Sequence, residues 1–212
     1  MTTKDAGQDL LENAYKLQTP ADNSAYYDAF AATYDADFME RLGYHYPKVL
    51  ATIYQGTDRP TPVADIGCGT GAVAAALGLP VGQIDGLDIS AEMLAVAGQK
   101  SLYRHLHQVD LTGPLNAISN GYGAVLSAGI FTHGHLGPGP LRRLLDIARP
   151  GGLFIIGVNQ AHYQSNDFAG LLGALEAEGR IGPVIITTTK IYDKAGHDHS
   201  DDLALVLQYR KI

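Results

Sequence analysis

The sequence predicts an α/β fold: a mostly parallel sheet with helices on both faces, preceded by an N-terminal helical segment. Three observations carry this. From Thr61 onward short β-branched runs alternate with helical stretches, the pattern of strands joined by crossover helices. The first such junction is glycine-rich, Gly67-Cys68-Gly69-Thr70-Gly71. Residues 1–60, by contrast, are polar, alanine- and tyrosine-rich and helical in pattern. A chain of 212 residues with 46% hydrophobic and 17% charged content is enough for one domain with a substantial core.

Each element has a local reason. Asp22, Asn23 or Ser24 is placed to cap a helix running to Leu42. On it Tyr27, Phe30, Tyr34 and Phe38 share one face, and Gly43 ends it. A second short helix covers Tyr46 to Tyr54. The first strand is Pro62 to Ile66, followed by the glycine loop and a helix from Ala72 to Leu77. The second strand, Gln83 to Asp88, leads into a helix from Ala91 to Gln99 that Ser90 caps. Leu102 to Val109 and Tyr122 to Ser127 are the third and fourth strands. Pro140 to Ala148 is helical and stops at Arg149-Pro150-Gly151-Gly152, where proline and glycine impose a turn. Leu153 to Val158 is the fifth strand, Asp167 to Glu178 a helix, and Val184 to Tyr192 and Leu203 to Arg210 the last two strands.

Bulk properties exclude several function classes. Fifteen Lys and Arg against 22 Asp and Glu give a formal charge of −7, without the basic clustering that phosphate neutralisation requires, so no nucleic-acid partner is expected. Apolar runs are interrupted well before about 18 residues, so no membrane span is expected. Met1 to Asp5 has no apolar core of a secretory signal. The lone Cys68 has no internal disulfide partner, and a cytoplasmic location is the expectation.

A glycine turn between strand and helix lets a ligand approach the backbone at a helix N-terminus. The glycines alone fit two ligands, because Gly67 to Ala72 also satisfies the dinucleotide pattern G-x-G-x-x-G/A. Asp88 at the end of the second strand suits ribose hydroxyls in either case. The surroundings separate the two. Asp65, two residues ahead of Gly67, suits an ammonium-bearing ligand such as the methionine end of S-adenosylmethionine and would repel a pyrophosphate. Met93 offers an apolar surface for an adenine. Asp110, followed by Leu111 after the third strand, can accept a hydrogen bond from its amino group.

The series V-A-D-I-G-C-G-T-G, G-L-D-I-S-x-x-M-L, V-D-L and R-P-G-G-L, spanning residues 63 to 153, resembles the motif set of class I S-adenosylmethionine-dependent methyltransferases. Tyr26-Tyr27-Asp28 through Asp37, Gly43-Tyr44-x-x-Pro47 and Phe131-Thr132-His133-Gly134-His135 are similar to the Williams–Beuren-region methyltransferase-like group within it. The resemblance implies a Rossmann-like seven-stranded sheet with the last strand antiparallel, a helical lid (1–60) on a core (61–212), and S-adenosylmethionine as cofactor. It puts Tyr34, and after it Tyr27, near the methionine portion of the cofactor. The expected cofactor-binding set is Tyr27, Tyr34, Asp65, Gly67, Gly69, Gly71, Asp88, Met93, Asp110, Leu111 and Ser127.

His133 and His135 follow the fourth strand, where an acceptor would sit, and are the candidate general bases, with solvated loop histidines as the plainer reading. Alternation in an extended segment lets at most one face the pocket, and His133 is preferred. The fourth strand lacks the Asn/Asp-Pro-Pro-aromatic tetrapeptide that cradles planar amino nitrogens, so a small-molecule acceptor is expected. The alternatives are a non-catalytic S-adenosylmethionine-binding protein and an NAD(P)-dependent oxidoreductase. The latter's tyrosine–lysine pair has only Tyr44 and Lys48 to offer, ahead of the first strand. His197-Asp198-His199 reads as a polar turn and His105 with His107 as a strand face, so no metal is expected.

Overall fold

The computed structural model describes residues 6–212, with side chains from Leu10 onward; the reading of Met1 to Asp5 lies outside the described residues. Seven strands form one sheet in the order β3-β2-β1-β4-β5-β7-β6. They are β1 (Val63–Ile66), β2 (Ile84–Asp88), β3 (His105–Gln108), β4 (Tyr122–Phe131), β5 (Ala148–Asn159), β6 (Ile185–Lys190) and β7 (Leu203–Arg210). β7 pairs antiparallel with both β5 and β6, and every other pairing is parallel. The chain order reverses between β1 and β4, so the cleft above their carboxyl ends is where a ligand lies in such a sheet.

Helices cover both faces, which is why the central strands read as continuous apolar runs rather than alternating ones. On β4, Val125 packs with α6 (Pro140–Ile147) and α8 (Phe168–Ala177). Its neighbours Ala124 and Leu126 point the other way, onto α3 (Tyr46–Gln55) and α4 (Ala72–Leu77). All three are fully buried. α5 (Ala91–Gln99) starts at Ser90, whose hydroxyl accepts the Met93 N–H as an N-cap. No helix among the described residues is long and apolar enough to cross a membrane.

The N-terminal segment differs from the single helix expected between residues 22 and 42. α1 (Ala6–Ala14) is followed by α2 (Pro20–Phe30), and a turn then leads into a π-helical stretch, Asp35–Glu40. Thr19 is the cap of α2, not residues 22–24. Asp22 is its third residue and returns a hydrogen bond to the Thr19 N–H, a reciprocal capping box behind Pro20 at the first position. The widened turn keeps the aromatic face together: Tyr27 and Tyr34 meet edge-on at 6.0 Å, and Tyr34 stacks on Phe38 at 4.9 Å.

Other boundaries move for local reasons. β4 runs on to Phe131 through a bulge in which Gly129 adopts φ +102, turning residues 128–130 toward the cleft. β3 begins only at His105 because Leu102 and Tyr103 fold inward beneath the glycine loop. α7 (Gln160–Ser165), unforeseen in the sequence, is capped by the Asn159 side chain.

Candidate functional site

β1 delivers the glycine loop to the cleft. Gly67 has φ +67, and a Cβ there would sit 2.0 Å from Ile130 Cγ2, so both conformation and space require glycine. The loop is tied down from β2: Asp88 Oδ2 accepts the Gly69 N–H at 2.8 Å and Oδ1 the Ser90 N–H at 2.9 Å. Burial raises the Asp88 carboxyl above its usual range, with these N–H donors opposing the shift.

α2 and the π-helical stretch close over this loop through polar contacts made by four of their residues, Asp28, Asp35, Asn23 and Tyr27. Asp28 Oδ1 accepts the Ser90 hydroxyl at 2.6 Å and the Glu92 N–H at 3.2 Å, a second cap on α5 supplied from the lid. Asp35 takes the Thr70 hydroxyl on one oxygen and the Lys100 ammonium on the other. At the far side, Asn23 Nδ2 donates to the Gly134 carbonyl at 3.0 Å. There too the Tyr27 hydroxyl meets His135 Nε2 at 2.7 Å. Under this cover lies a cavity of about 290 Å³.

The sequence-derived candidates divide cleanly. Tyr27, Tyr34, Gly67, Gly69, Asp88, Met93, Asp110, Leu111 and His135 line the cavity. Asp110 is exposed at its rim, with Oδ1 engaged by the Thr112 N–H and hydroxyl. Four other candidates do not reach it. Asp65 is fully buried beneath the loop, where its Oδ2 accepts the Tyr103 hydroxyl at 2.7 Å and Oδ1 has no hydrogen-bond partner. Burial pushes its carboxyl up to about 7, the Tyr103 hydrogen bond only partly opposing this. Gly71 is turned inward to start α4 at φ +98, with the Tyr103 ring packed on it. Ser127 is buried, its hydroxyl donating to the Ile66 carbonyl at 2.9 Å.

The fourth is His133, and here the preference between the two histidines reverses. Gly134 has φ +76 and the segment turns rather than extends, so the alternation argument does not apply. His133 stands behind the wall, edge-on to His162 at 5.0 Å and Tyr15 at 5.8 Å. His135 faces the cavity and its tautomer is fixed: Nδ1 lies 2.9 Å from the His133 carbonyl, which only accepts, so Nδ1 carries the proton. Nε2 is therefore an acceptor and takes the Tyr27 O–H. Burial holds this imidazole below the usual histidine range.

Several lining residues were not singled out in the sequence. Ile89 and Val109 extend the apolar wall near Met93; Tyr15, Tyr44, Tyr192, Thr132 and Asn159 build the opposite end. Tyr44 sits in a quoted motif, but Tyr192 and Asn159 reach the cavity from distant strand ends that only topology brings near. Among the described residues His197 and His199 gather no metal-like group; His199 pairs with Asp202 at 3.0 Å. Asp85, His105 and His107 do bring ligand atoms within 4.8 Å, yet Asp85 already accepts two Arg104 bonds and the Tyr122 hydroxyl.

A family model described as a methyltransferase domain matches residues 64–156. No curated protein matches the chain. Solved structures share the fold. A chain from the complex between the Haloferax volcanii Trm112 methyltransferase activator and a methyltransferase has 19% identity and TM-score 0.58, covering 86% of this chain and 96% of that one. The TehB-like S-adenosylmethionine-dependent methyltransferase of Corynebacterium glutamicum has 19% identity and TM-score 0.56, with 92% and 100% covered. The plantazolicin methyltransferase BpumL, in complex with S-adenosylhomocysteine, has 15% identity and TM-score 0.59, with 98% and 96% covered. Residues 64–156 thus match a methyltransferase-domain model, and the likeness to the solved structures is one of fold.

Proposed function

We propose that this enzyme methylates a small protic molecule held beneath the α2 lid, and that His135, acting through Tyr27, removes the acceptor's proton. The observation that carries the reading is one cavity beneath α2 with Asp88 and the glycine loop at one end and the Tyr27–His135 pair on its wall.

The residues fit the cofactor. Asp88 spends one lone pair of each oxygen on backbone N–H groups, leaving acceptor capacity for the two ribose hydroxyls. Ile89, Met93, Val109 and Leu111 offer apolar surface for a purine, with Asp110 at its edge. Gly67 and Gly69 present bare backbone to the cavity, which a ligand can approach closely. Asp65 belongs beneath the loop in this reading, supporting it from below, and Ser127 and Gly71 likewise shape the loop rather than touch ligand.

When bound, S-adenosylmethionine supplies a methyl on a cationic sulfur, whose transfer to an acceptor lone pair leaves the S–C electron pair on sulfur and one acceptor proton to be removed. Tyr27 receives that proton on its oxygen as its own passes to His135 Nε2. Burial keeps His135 neutral and ready for it. The lid holds the acceptor in line and excludes water, an effect on the order of 7–11 kcal/mol when alignment is good. We take the lid as the segment through Leu42. α3 belongs with the sheet it covers, although the sequence boundary fell at residue 60.

A small acceptor follows from the cavity's volume of about 290 Å³ and its charge: among the described residues no Lys or Arg lines it. The resemblance to the Williams–Beuren-region group rests on the Tyr-Asp, Gly43-Tyr44-x-x-Pro47 and His-Gly-His motifs, the first and last of which contribute to the lid contact. A cytoplasmic setting is our reading from the single cysteine. The Trm112 activator seen with one structural neighbour makes a protein partner a second reading for this chain, to be sought as a co-purifying activator. For the main reading, a screen of small phenols and amines for S-adenosylhomocysteine release identifies an acceptor. With that acceptor, Tyr27→Phe and His135→Ala should each lower kcat by about 10²–10⁴-fold while S-adenosylhomocysteine affinity stays within about twofold. Unchanged kcat in both variants removes the relay.

A further inference from the structure

The two ends of the cavity differ in chemistry. Its only carboxylates among the described residues, Asp88 and Asp110, lie at the glycine-loop end. The other end is walled by rings. Phe38 and Tyr44 meet at 5.3 Å, Tyr44 and Tyr192 at 5.9 Å, Tyr44 and Tyr46 at 6.3 Å, and Phe38 and Tyr192 at 6.3 Å, so Tyr44 is the hub of a continuous aromatic surface. Burial raises the Tyr44 and Tyr192 phenols far above their usual value, so both remain neutral. Lys48 and Lys100 border a separate hollow that shares Met39, Tyr44, Pro47 and Ala72 with this one.

We propose that this aromatic chamber selects a flat, uncharged aromatic acceptor, a phenol or aromatic amine bearing no carboxylate, phosphate or sulfate. The inference rests on the reading that the glycine-loop end holds the methyl donor. Ring faces carry negative electrostatic potential and pair with other rings edge-on or offset. An anionic group buried there would lose its water and gain no Lys or Arg partner among the described lining residues. An ammonium would suit the ring faces, but it has no lone pair to attack a methyl and would sit beside a sulfonium of like charge. An uncharged aromatic ring meets none of these penalties, and its O–H or N–H can donate to the Tyr27 oxygen.

The test measures binding of matched pairs to the protein saturated with S-adenosylhomocysteine, by calorimetry and ligand-observed NMR. The pairs are catechol with protocatechuate, and aniline with para-aminobenzoate. The uncharged member of each pair should bind at least about tenfold tighter. Met39→Lys, which puts an ammonium on the shared wall, should shift the preference toward the carboxylated members by about tenfold. Equal or tighter binding of the carboxylated members to the parent protein, or no saturable binding by either uncharged member, overturns the proposal. Failure of S-adenosylhomocysteine itself to bind, read separately in the first titration, overturns instead the assignment of the methyl-donor end.

Discussion

Asp65 and His135 are both buried titratable groups, and their pH signatures run in opposite directions. Asp65, raised by burial to about 7 against an ordinary 3.8, binds its proton more tightly in the folded chain. Its contribution to stability is complete below about pH 4 and is lost as pH rises through about 7. The ligand-free protein should therefore lose melting temperature between about pH 4 and pH 7, and Asp65→Asn should flatten that slope; an equal slope in the variant removes the assignment. His135, lowered by burial, is destabilising once pH falls below its ordinary 6.5, because only the unfolded chain then takes up the proton readily. Nitrogen NMR should show His135 neutral at about pH 6.5, with the proton on Nδ1 and a hydrogen-bonded Nε2. Protonation on Nε2 would break the link to Tyr27. At this scale the sequence was legible for residues whose place follows from a strand end: Gly67, Gly69, Asp88 and Met93 all reach the cavity. It misled where orientation depends on a partner far along the chain. Tyr103 claims the Asp65 carboxylate from 38 residues away, and the turn at Gly134 gives the cavity wall to His135 rather than His133.

Within the lid, α2 is held by polar side-chain contacts and buries no residue completely, whereas Leu11, Phe38 and Leu42 on either side of it join the core. Asp28 and Asp35 fasten it to the ends of β1, β2 and α5, and Asn23 and Tyr27 fasten it to the loop after β4. Such an element sits at the low-stability end of a fold and is suited to opening for exchange of ligand. Asp28→Ala removes a cap on α5 as well as a latch, and should cost about 0.5–2 kcal/mol in urea unfolding. It should also speed proteolytic cleavage between α1 and α2, with S-adenosylhomocysteine restoring protection in the parent but less in the variant. Equal protection in both contradicts the latch. The sequence located α4, α5 and β7 end for end because a glycine, a serine cap or a short apolar run after a polar turn marked them. It overran α2 because a shared aromatic face looks alike on a continuous helix and on two stretches joined by a widened turn. It stopped β4 early because a bulge carries no periodicity of its own.

Across the whole molecule, strand order and charge decide the chemistry together. The reversal between β1 and β4 opens one cleft; the N-terminal segment and the stretch joining β6 to β7 close it from two sides. Tyr192 and Tyr44 bridge backbone to backbone there. The fold was legible because its parallel core repeats one strand–helix unit, each with its own turn signal. The acceptor end was not, since Tyr15, Tyr44, Asn159 and Tyr192 converge only after folding. The central claim, that the glycine-loop end is an adenosyl site gripped by Asp88, is tested most directly by calorimetric titration with S-adenosylhomocysteine and, separately, with NAD and NADP. S-adenosylhomocysteine should bind with one-to-one stoichiometry, the dinucleotides should give no heat of binding, and Asp88→Ala should weaken binding by at least about tenfold. Saturable binding of a nicotinamide dinucleotide with none of S-adenosylhomocysteine would contradict the account.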